Sequence, residues 1–150
     1  MVDDVQLNHK AASLVLQDTY ELYEALSAKE AFEIMETVRP DLILLDVVMP
    51  GMDGYELCRH LKDHGRTRNI PVIFISAFDH PEDVVKGLGL GGADYITKPF
   101  VPKIVQARVG VHLSLYRANR ELKETNRLLQ VSVKEQLKQI EQEKKDVLYA

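Results

Sequence analysis

Five polar residues of this 150-residue chain are of types that can handle phosphate and a metal ion, and each ends or follows an apolar segment. They are Asp3, Asp4, Asp46, Ser76 and Lys98. Clustered carboxylates repel one another, and Mg²⁺ relieves the repulsion because it binds one or two carboxylates together with phosphate oxygens. Lys98 suits a phosphoryl oxygen, and Ser76 offers a hydroxyl donor. If these residues meet, Asp46 can act as a nucleophile that forms an aspartyl phosphate.

These residues meet only if the segments before them form one sheet. Strands are predicted at a short lead ending at residue 2 and at 20–26, 42–45, 69–77 and 93–97, and helices at 8–16, 27–38, 54–62 and 81–88. Strands that alternate with helices predict an α/β fold with helices on both faces of a parallel sheet. The carboxyl ends of such strands share one edge, where we expect the polar residues to converge.

Three local patterns concern the ends of helices. Ser27 followed by Glu30 is a capping box, which predicts the start of a helix. Asp53-Gly54 is typical of a turn. Four glycines at positions 87 to 92 limit the preceding helix and are expected to make it mobile.

From about residue 101 the pattern predicts one long helix, with no glycine after Gly110 and no proline after Pro102. Alternating steps of three and four residues predict a coiled-coil seam, and Asn119 and Asn126 in it are of the kind that fixes register. The step from Val133 to Leu137 is a second four-residue step in succession, and this break in the alternation is a stutter. We favour pairing of this helix over a solvated tail, because its apolar stripe needs a partner. The seam comprises Leu115, Asn119, Leu122, Asn126, Leu129, Val133, Leu137, Ile140 and Val147.

The composition excludes several classes of protein. Residues 1–114 hold 11 Lys and Arg against 17 Asp and Glu, and residues 115–150 hold 8 against 6, so neither part has the basic patch of a nucleic-acid-binding protein. No apolar stretch approaches the length of a membrane span. The single cysteine, Cys58, excludes an internal disulfide and favours the cytoplasm.

Each candidate residue also has an ordinary structural interpretation. Taken singly, the acid pair at positions 3 and 4 would be interpreted as an acidic turn and Ser76 as a helix cap. Lys98 would be interpreted as a loop residue and Tyr95 as a residue packed in a strand. The five histidines have no metal-ligand spacing and are expected on the surface. The order of the polar residues and their shared position at strand ends favour the chemical interpretation.

Four motifs resemble those of the receiver domain of two-component response regulators. They are the acid pair, Asp46 within LLDVVMPGMDG, ISA at 75–77 and DYITKPF at 94–100. The resemblance covers residues 1–114 as a receiver domain and implies a flavodoxin-like, doubly wound, five-stranded parallel sheet in the order 2-1-3-4-5. Residues 115–150 then form a helical coiled-coil extension of the last helix.

The resemblance implies a role for each residue of the site. Asp46 would receive a phosphoryl group from a phosphohistidine on a sensor histidine kinase, in a reaction that needs Mg²⁺. The metal would be bound by Asp4, Asp46 and the backbone carbonyl of Val48, with Asp3 nearby through water. Lys98 would contact the phosphoryl oxygens.

The same resemblance implies how the signal leaves the site. The hydroxyl of Ser76 would move toward the phosphoryl group, and the ring of Tyr95 would rotate inward behind it. The output surface would be the fourth helix, fifth strand and fifth helix, which together with the coiled coil would form a homodimer. Such a domain is expected to signal rather than to be an enzyme, although it assists its own phosphorylation and dephosphorylation.

Two departures and two alternatives accompany this interpretation. Only Met1-Val2 precede the acid pair, so the central strand looks clipped, and the glycine-rich stretch departs from the family pattern. An output domain beyond residue 150 is expected, of the HD-GYP phosphodiesterase or diguanylate cyclase (GGDEF) type found in relatives with similar linkers. A Mg²⁺-dependent phosphatase would need a second acid where this chain has Val48. A dimerisation module with a vestigial site is disfavoured by the complete set of acid, hydroxyl and lysine.

Overall fold

Helices alternate with short strands in the computed structural model, which describes residues 1–149. The predicted α/β class is confirmed, and each predicted helix is present with its ends within about two residues of those expected. The helices are α1 (Gln6–Leu16), α2 (Ala28–Thr37), α3 (Gly54–Asp63), α4 (Pro81–Gly89) and α5 (Pro102–Tyr149), and the strands are β1 (Ile43–Asp46), β2 (Val72–Ser76) and β3 (Asp94–Thr97).

The three strands form a parallel sheet in the order β1-β2-β3. Asp46 pairs with Ile75, and Ser76 pairs with Thr97, so the carboxyl ends of all three strands lie along one edge. Every residue of β1 and β2 is buried. Burial on both faces explains why these two strands are nearly continuous apolar runs rather than alternating ones.

The predicted number of five strands is wrong for the described residues, because the first two predicted strands are reduced to single β-bridges. Val2 pairs in parallel with Ala25 on one side and with Leu45 on the other. It therefore lies between the 20–26 segment and β1, which agrees with the predicted neighbour order 2-1-3. Only Met1 and Val2 precede the acid pair, so there is little backbone from which to build a ladder.

Apolar side chains pack on both faces of the sheet, because successive strand residues point to opposite sides. Helices α2, α3 and α4 cover one face through a cluster that includes Leu45, Phe74 and Tyr95. Helix α1 and the first part of α5 cover the other face through a cluster that includes Leu44 and Ile73. This is the doubly wound arrangement that the alternating pattern predicts.

Side chains cap the starts of two helices. The hydroxyl of Ser27 accepts a hydrogen bond from the backbone N–H of Glu30 (3.1 Å), and the Glu30 carboxylate accepts one from the N–H of Leu26 (2.7 Å). The carboxylate of Asp53 accepts from the N–H of Glu56 (2.9 Å) and caps α3. The predicted start of α2 at a capping residue is confirmed, and the turn at Asp53 is also a helix cap.

Two glycines of the glycine-rich stretch lie against aromatic rings. A Cβ on Gly87 would lie 3.0 Å from ring atoms of both Phe74 and Tyr95, and one on Gly92 would lie 2.6 Å from the Phe74 ring. The distance at Gly92 is shorter than real Cβ contacts, so a side chain there would force its neighbours to move. The distances at Gly87 are tight, and a side chain there would require the two rings to shift slightly. The glycines therefore permit close packing here, and the expected mobility of the stretch stays a prediction.

The chain divides into two compact units, Met1–Ser114 and the residues from Leu115 onward. The second unit is helical throughout its described residues, and the apolar residues of the predicted seam are exposed in it. Pairing of that seam stays a prediction. Within residues 1–149, no helix is long and apolar enough to cross a membrane.

Candidate functional site

Asp46 is the last residue of β1, and it is buried, with 4% of its surface exposed. Its backbone N–H donates to the carbonyl of Val2 (2.9 Å), and its Oδ1 accepts from the N–H of Val48 (3.3 Å). The first residue of α3, Gly54, lies so close that a Cβ there would overlap the Asp46 carbonyl oxygen. The glycine of the Asp-Gly pair is thus needed to let α3 begin against the end of β1.

The acid pair lies beside Asp46, as predicted. Asp3 is fully buried, whereas Asp4 is exposed. One carboxylate oxygen from each of Asp3, Asp4 and Asp46 lies within 4.8 Å of the others. Oxygens at these separations can share one small cation, so the structure brings the three acids together at the sheet edge.

Lys98 follows β3 directly and reaches the same place. Its backbone N–H donates to the carbonyl of Ser76 (2.7 Å), and its peptide bond to Pro99 is cis. Its Nζ lies 3.1 Å from Oδ2 of Asp3 and 3.2 Å from Oδ2 of Asp46. The ammonium group therefore bridges two buried carboxylates.

Burial and the neighbouring charges shift the pKa values of Asp46 and Lys98. Burial and the carboxylate of Asp3 raise the pKa of Asp46, although Lys98 opposes the shift. Burial alone would lower the pKa of Lys98, but its hydrogen bonds and ion pairs with Asp3 and Asp46 outweigh burial and raise that pKa. The lysine therefore stays cationic, and the site retains an excess of negative charge that favours a further cation.

Ser76 lies beside Lys98 of this cluster, and it meets Tyr95 at one residue of the loop after β2. Ser76 is fully buried, and its Oγ accepts from the N–H of Phe78 (3.1 Å). The hydroxyl of Tyr95 donates to the carbonyl of the same Phe78 (2.9 Å), and the Tyr95 ring is buried. The backbone of one residue, Phe78, thus connects the two predicted switch residues.

Two residues of α1 lie at the site although the sequence motifs do not predict them there. The side-chain amide of Asn8 donates to Oδ2 of Asp3 (3.0 Å), and Nε2 of His9 donates to the Asp3 carbonyl (2.7 Å). His9 was expected on the surface but is fully buried. Its spacing from Ala12 and Leu16, the two other buried residues of α1, is the helical stripe that could have revealed it.

His112 also departs from the expected surface location. It is partly buried, and its Nε2 lies 3.0 Å from Oδ2 of Asp94. Arg108 donates to both oxygens of the same carboxylate (2.8 and 3.0 Å). Burial opposes the shift, but hydrogen bonds from His112, the Tyr95 N–H and Arg108 lower the pKa of Asp94. This ion-paired group joins the start of β3 to α5.

The chain is similar to known signalling proteins. It is 42% identical over 110 residues to Response regulator PleD of Caulobacter vibrioides, an alignment that covers 73% of this chain and 24% of PleD. It is 38% identical over 133 residues to a Probable cyclic di-GMP phosphodiesterase of Vibrio cholerae, covering 89% of this chain and 30% of that protein. The chain thus spans less than a third of the length of these relatives.

A solved structure has the same fold. The receiver domain of Francisella response regulator 1452 superposes with a TM-score of 0.70 at 31% identity, covering 75% of this chain and 93% of that one. The family described as Response regulator receiver domain matches residues 1–110. With its motifs at one sheet edge and this match over most of its length, the chain belongs to the response regulator receiver domain family, a family of signalling domains.

Proposed function

We propose that Asp46 accepts a phosphoryl group from a phosphohistidine on a sensor histidine kinase. The observation that best supports this is the surroundings of its buried carboxylate. The Lys98 ammonium is 3.2 Å away, and oxygens of Asp3 and Asp4 lie within 4.8 Å. Phosphoryl transfer needs such positive charge and metal ligands, because they stabilise the charge on the phosphoryl oxygens in the transition state.

The donor set fits Mg²⁺, which prefers carboxylate and carbonyl oxygens and keeps several waters. Asp4 and Asp46, with the backbone carbonyl of Val48, would bind the metal directly, and Asp3 would bind it through water. The exposure of Asp4 is consistent with retained water. When bound, Mg²⁺ would neutralise charge on the phosphoryl group.

In the transfer step, a carboxylate oxygen of Asp46 attacks the phosphorus atom. A P–O bond forms, the P–N bond to the kinase histidine breaks, and its electron pair returns to the imidazole. Lys98 turns from the carboxylates to a phosphoryl oxygen, which carries more charge than the carboxylate oxygen it leaves. The chain's own residues thus assist the reaction, although no substrate is turned over in the manner of an enzyme.

The phosphoryl group then attracts the hydroxyl of Ser76, which donates its proton to a phosphoryl oxygen. As the hydroxyl moves toward the phosphoryl group, its Oγ moves away from the Phe78 N–H, and this loosens the loop whose carbonyl also holds the Tyr95 hydroxyl. The Tyr95 ring is already buried in this structure, and phosphorylation would favour that inward position. These changes alter the surface made by α4, β3 and α5.

Residues 1–114 act as the receiver, and residues 115–150 act as a linker to an output domain. The alignment with the Vibrio cholerae phosphodiesterase covers 133 residues, so it extends beyond residue 114 by at least 19 residues. This supports a cyclic-dinucleotide enzyme as the output, of the HD-GYP or the diguanylate cyclase (GGDEF) type. The chain itself is predicted to bind no nucleic acid and to reside in the cytoplasm.

The linker pairs with a second copy of the chain. Its exposed seam is the feature that supports this, since seven of the nine seam residues are leucine, isoleucine or valine. The surface of α4, β3 and α5 would add to the same homodimer. Asn119 and Asn126 would hold the two helices in register.

The test combines phosphorylation with mass spectrometry. We expect acetyl phosphate and Mg²⁺ to add one phosphoryl group to the chain, and expect no addition to Asp46→Asn or in the presence of EDTA. Glu33→Gln, at an exposed acid of α2, is the matched control and should be modified normally. Unchanged modification of Asp46→Asn would contradict the assignment of the acceptor, and multiple turnover of a stable phosphoester would favour a phosphatase.

A further inference from the structure

The carboxylate of Asp3 is held by three donors. Its Oδ1 accepts from the backbone N–H of Val5 (2.8 Å), and its Oδ2 accepts both from the Asn8 amide (3.0 Å) and from the Lys98 ammonium (3.1 Å). Asp3 is fully buried, so water does not replace a lost donor readily. Asn8 and Lys98 therefore share one oxygen atom.

The backbone of Asp3 is held by His9, which follows Asn8 in α1. Nε2 of His9 lies 2.7 Å from the Asp3 carbonyl, and because a carbonyl only accepts, Nε2 must carry the proton. The other ring nitrogen, Nδ1, has no hydrogen-bond partner within residues 1–149. The ring is fully buried, so a polar side chain occupies this core position, and within residues 1–149 the Asp3 carbonyl is its only hydrogen-bond partner.

Phosphorylation removes one of these supports. When Lys98 turns from the carboxylates to a phosphoryl oxygen, as in the proposed transfer step, Oδ2 of Asp3 loses its ammonium. The Asn8 amide is then the remaining side-chain donor to that oxygen. Without it, a buried carboxylate oxygen would lack a direct partner at the moment when it must orient a metal-bound water.

We propose that Asn8 and His9 are positioning residues that fix the side chain and the carbonyl of Asp3 for Mg²⁺ binding while Lys98 serves the phosphoryl group. The inference rests on the proposed function of the site. Neither residue touches the reacting atoms. They act through Asp3 alone.

The test measures Mg²⁺ binding to the whole chain by calorimetry, without a phosphodonor. We expect Asn8→Ala to weaken Mg²⁺ affinity about 10-fold, as the loss of an outer hydrogen-bond partner does in other metal sites. With acetyl phosphate, the Mg²⁺ concentration for half-maximal phosphorylation rises by the same factor, while the rate at saturating Mg²⁺ stays near that of the wild type. Gln6→Ala, at an exposed residue of the same helix, is the matched control and changes neither quantity.

A double-mutant comparison shows whether Asn8 acts through Asp3. In an Asp3→Asn background, we expect Asn8→Ala to cause no further loss of Mg²⁺ affinity. A purely structural Asn8 would lower the free energy of unfolding in EDTA but leave the Mg²⁺ affinity of the folded protein unchanged, and that result would overturn the proposal.

Two substitutions of similar size test His9. His9→Gln keeps an amide donor near the position of Nε2 and should retain near wild-type Mg²⁺ affinity, whereas His9→Leu lacks the donor and should lose affinity. Equal affinities would overturn the role of His9. If the wild type binds no Mg²⁺, the proposed function fails and this inference fails with it. If the wild type binds Mg²⁺ and Asn8→Ala binds it equally well, only this inference fails.

Discussion

At the scale of single residues, the site depends on charges that are buried and therefore must be paired. Lys98 lies between Asp3 and Asp46 at 3.1 and 3.2 Å, and the three acids still outnumber it. A second cation is the physical remedy for that excess. Away from the site, the partly buried carboxylate of Asp94 is also paired, with Arg108 and His112.

Asp94 provides a pH test. Its pKa in the folded protein lies below the ordinary value of 3.8, so the ionised group stabilises the fold above that pH and loses its contribution as pH falls through the lower folded-state pKa. We expect Asp94→Asn to lower the free energy of unfolding at pH 7, and the difference from the wild type to shrink below about pH 4.

Denaturant unfolding between pH 3 and pH 7 measures this difference. Asp18→Asn is the control, because Asp18 is exposed, and this change should have little effect at any pH. A deficit of Asp94→Asn that stays constant down to pH 3 would show that the ionised form is not what stabilises the fold.

The close packing of Gly92 gives a second test. A Cβ there would lie 2.6 Å from the Phe74 ring and 2.9 Å from the carbonyl oxygen of Gly87. We expect Gly92→Ala to lower the free energy of unfolding by about 1–3 kcal/mol, measured by denaturant titration. Gly89→Ala is the matched control, since nothing lies within 4 Å of its Cβ, and it should be neutral or stabilising by up to about 1 kcal/mol. Equal effects of the two changes would rule out a steric cause.

At the scale of elements, the strand ends bring the residues of the site together, and the first turns of helix α1 contact one of them. β1 and β2 end at Asp46 and Ser76, and α1 supplies two residues that hold Asp3. The boundaries of α2 and α3 follow local hydrogen bonds of capping side chains. Such bonds depend on residues three positions apart, which is why the sequence predicts these boundaries well.

The cap of α2 can be tested directly. Ser27→Ala removes the acceptor for the Glu30 N–H and should lower the free energy of unfolding by about 1 kcal/mol. Ser27→Asp keeps an acceptor and should stay near the wild type. Thermal unfolding followed by circular dichroism measures both, and an equal loss for both would mean that the cap bond is not the cause.

At the scale of the whole molecule, the proposed homodimer can be tested through two neighbouring leucines of α5. Leu129 lies in the seam and Leu128 lies beside it outside the seam, yet they are almost equally exposed, at 58% and 55%. Exposure in one chain therefore does not distinguish them. Pairing along the seam would bury only Leu129.

Matched substitutions use this difference. We expect Leu129→Lys to raise the dimer dissociation constant at least about 10-fold, because two leucines lose their burial and two charges approach each other. Leu128→Lys should leave the dimer nearly unchanged. Sedimentation equilibrium measures both, and equal effects of the two, or a monomeric wild type, would contradict the proposed pairing.

By itself, the sequence determined the fold class, the limits of the helices and the convergence of the acids with Lys98, because these follow from apolar runs, caps and polar residues at strand ends. The tertiary structure alone decided that Val2 forms bridges rather than a strand, that Lys98 shares Oδ2 of Asp3 with Asn8, and that His9 is buried beneath the site. These features join residues far apart in the chain or depend on how closely a helix approaches the sheet. Packing in three dimensions sets such distances, and no local pattern encodes them.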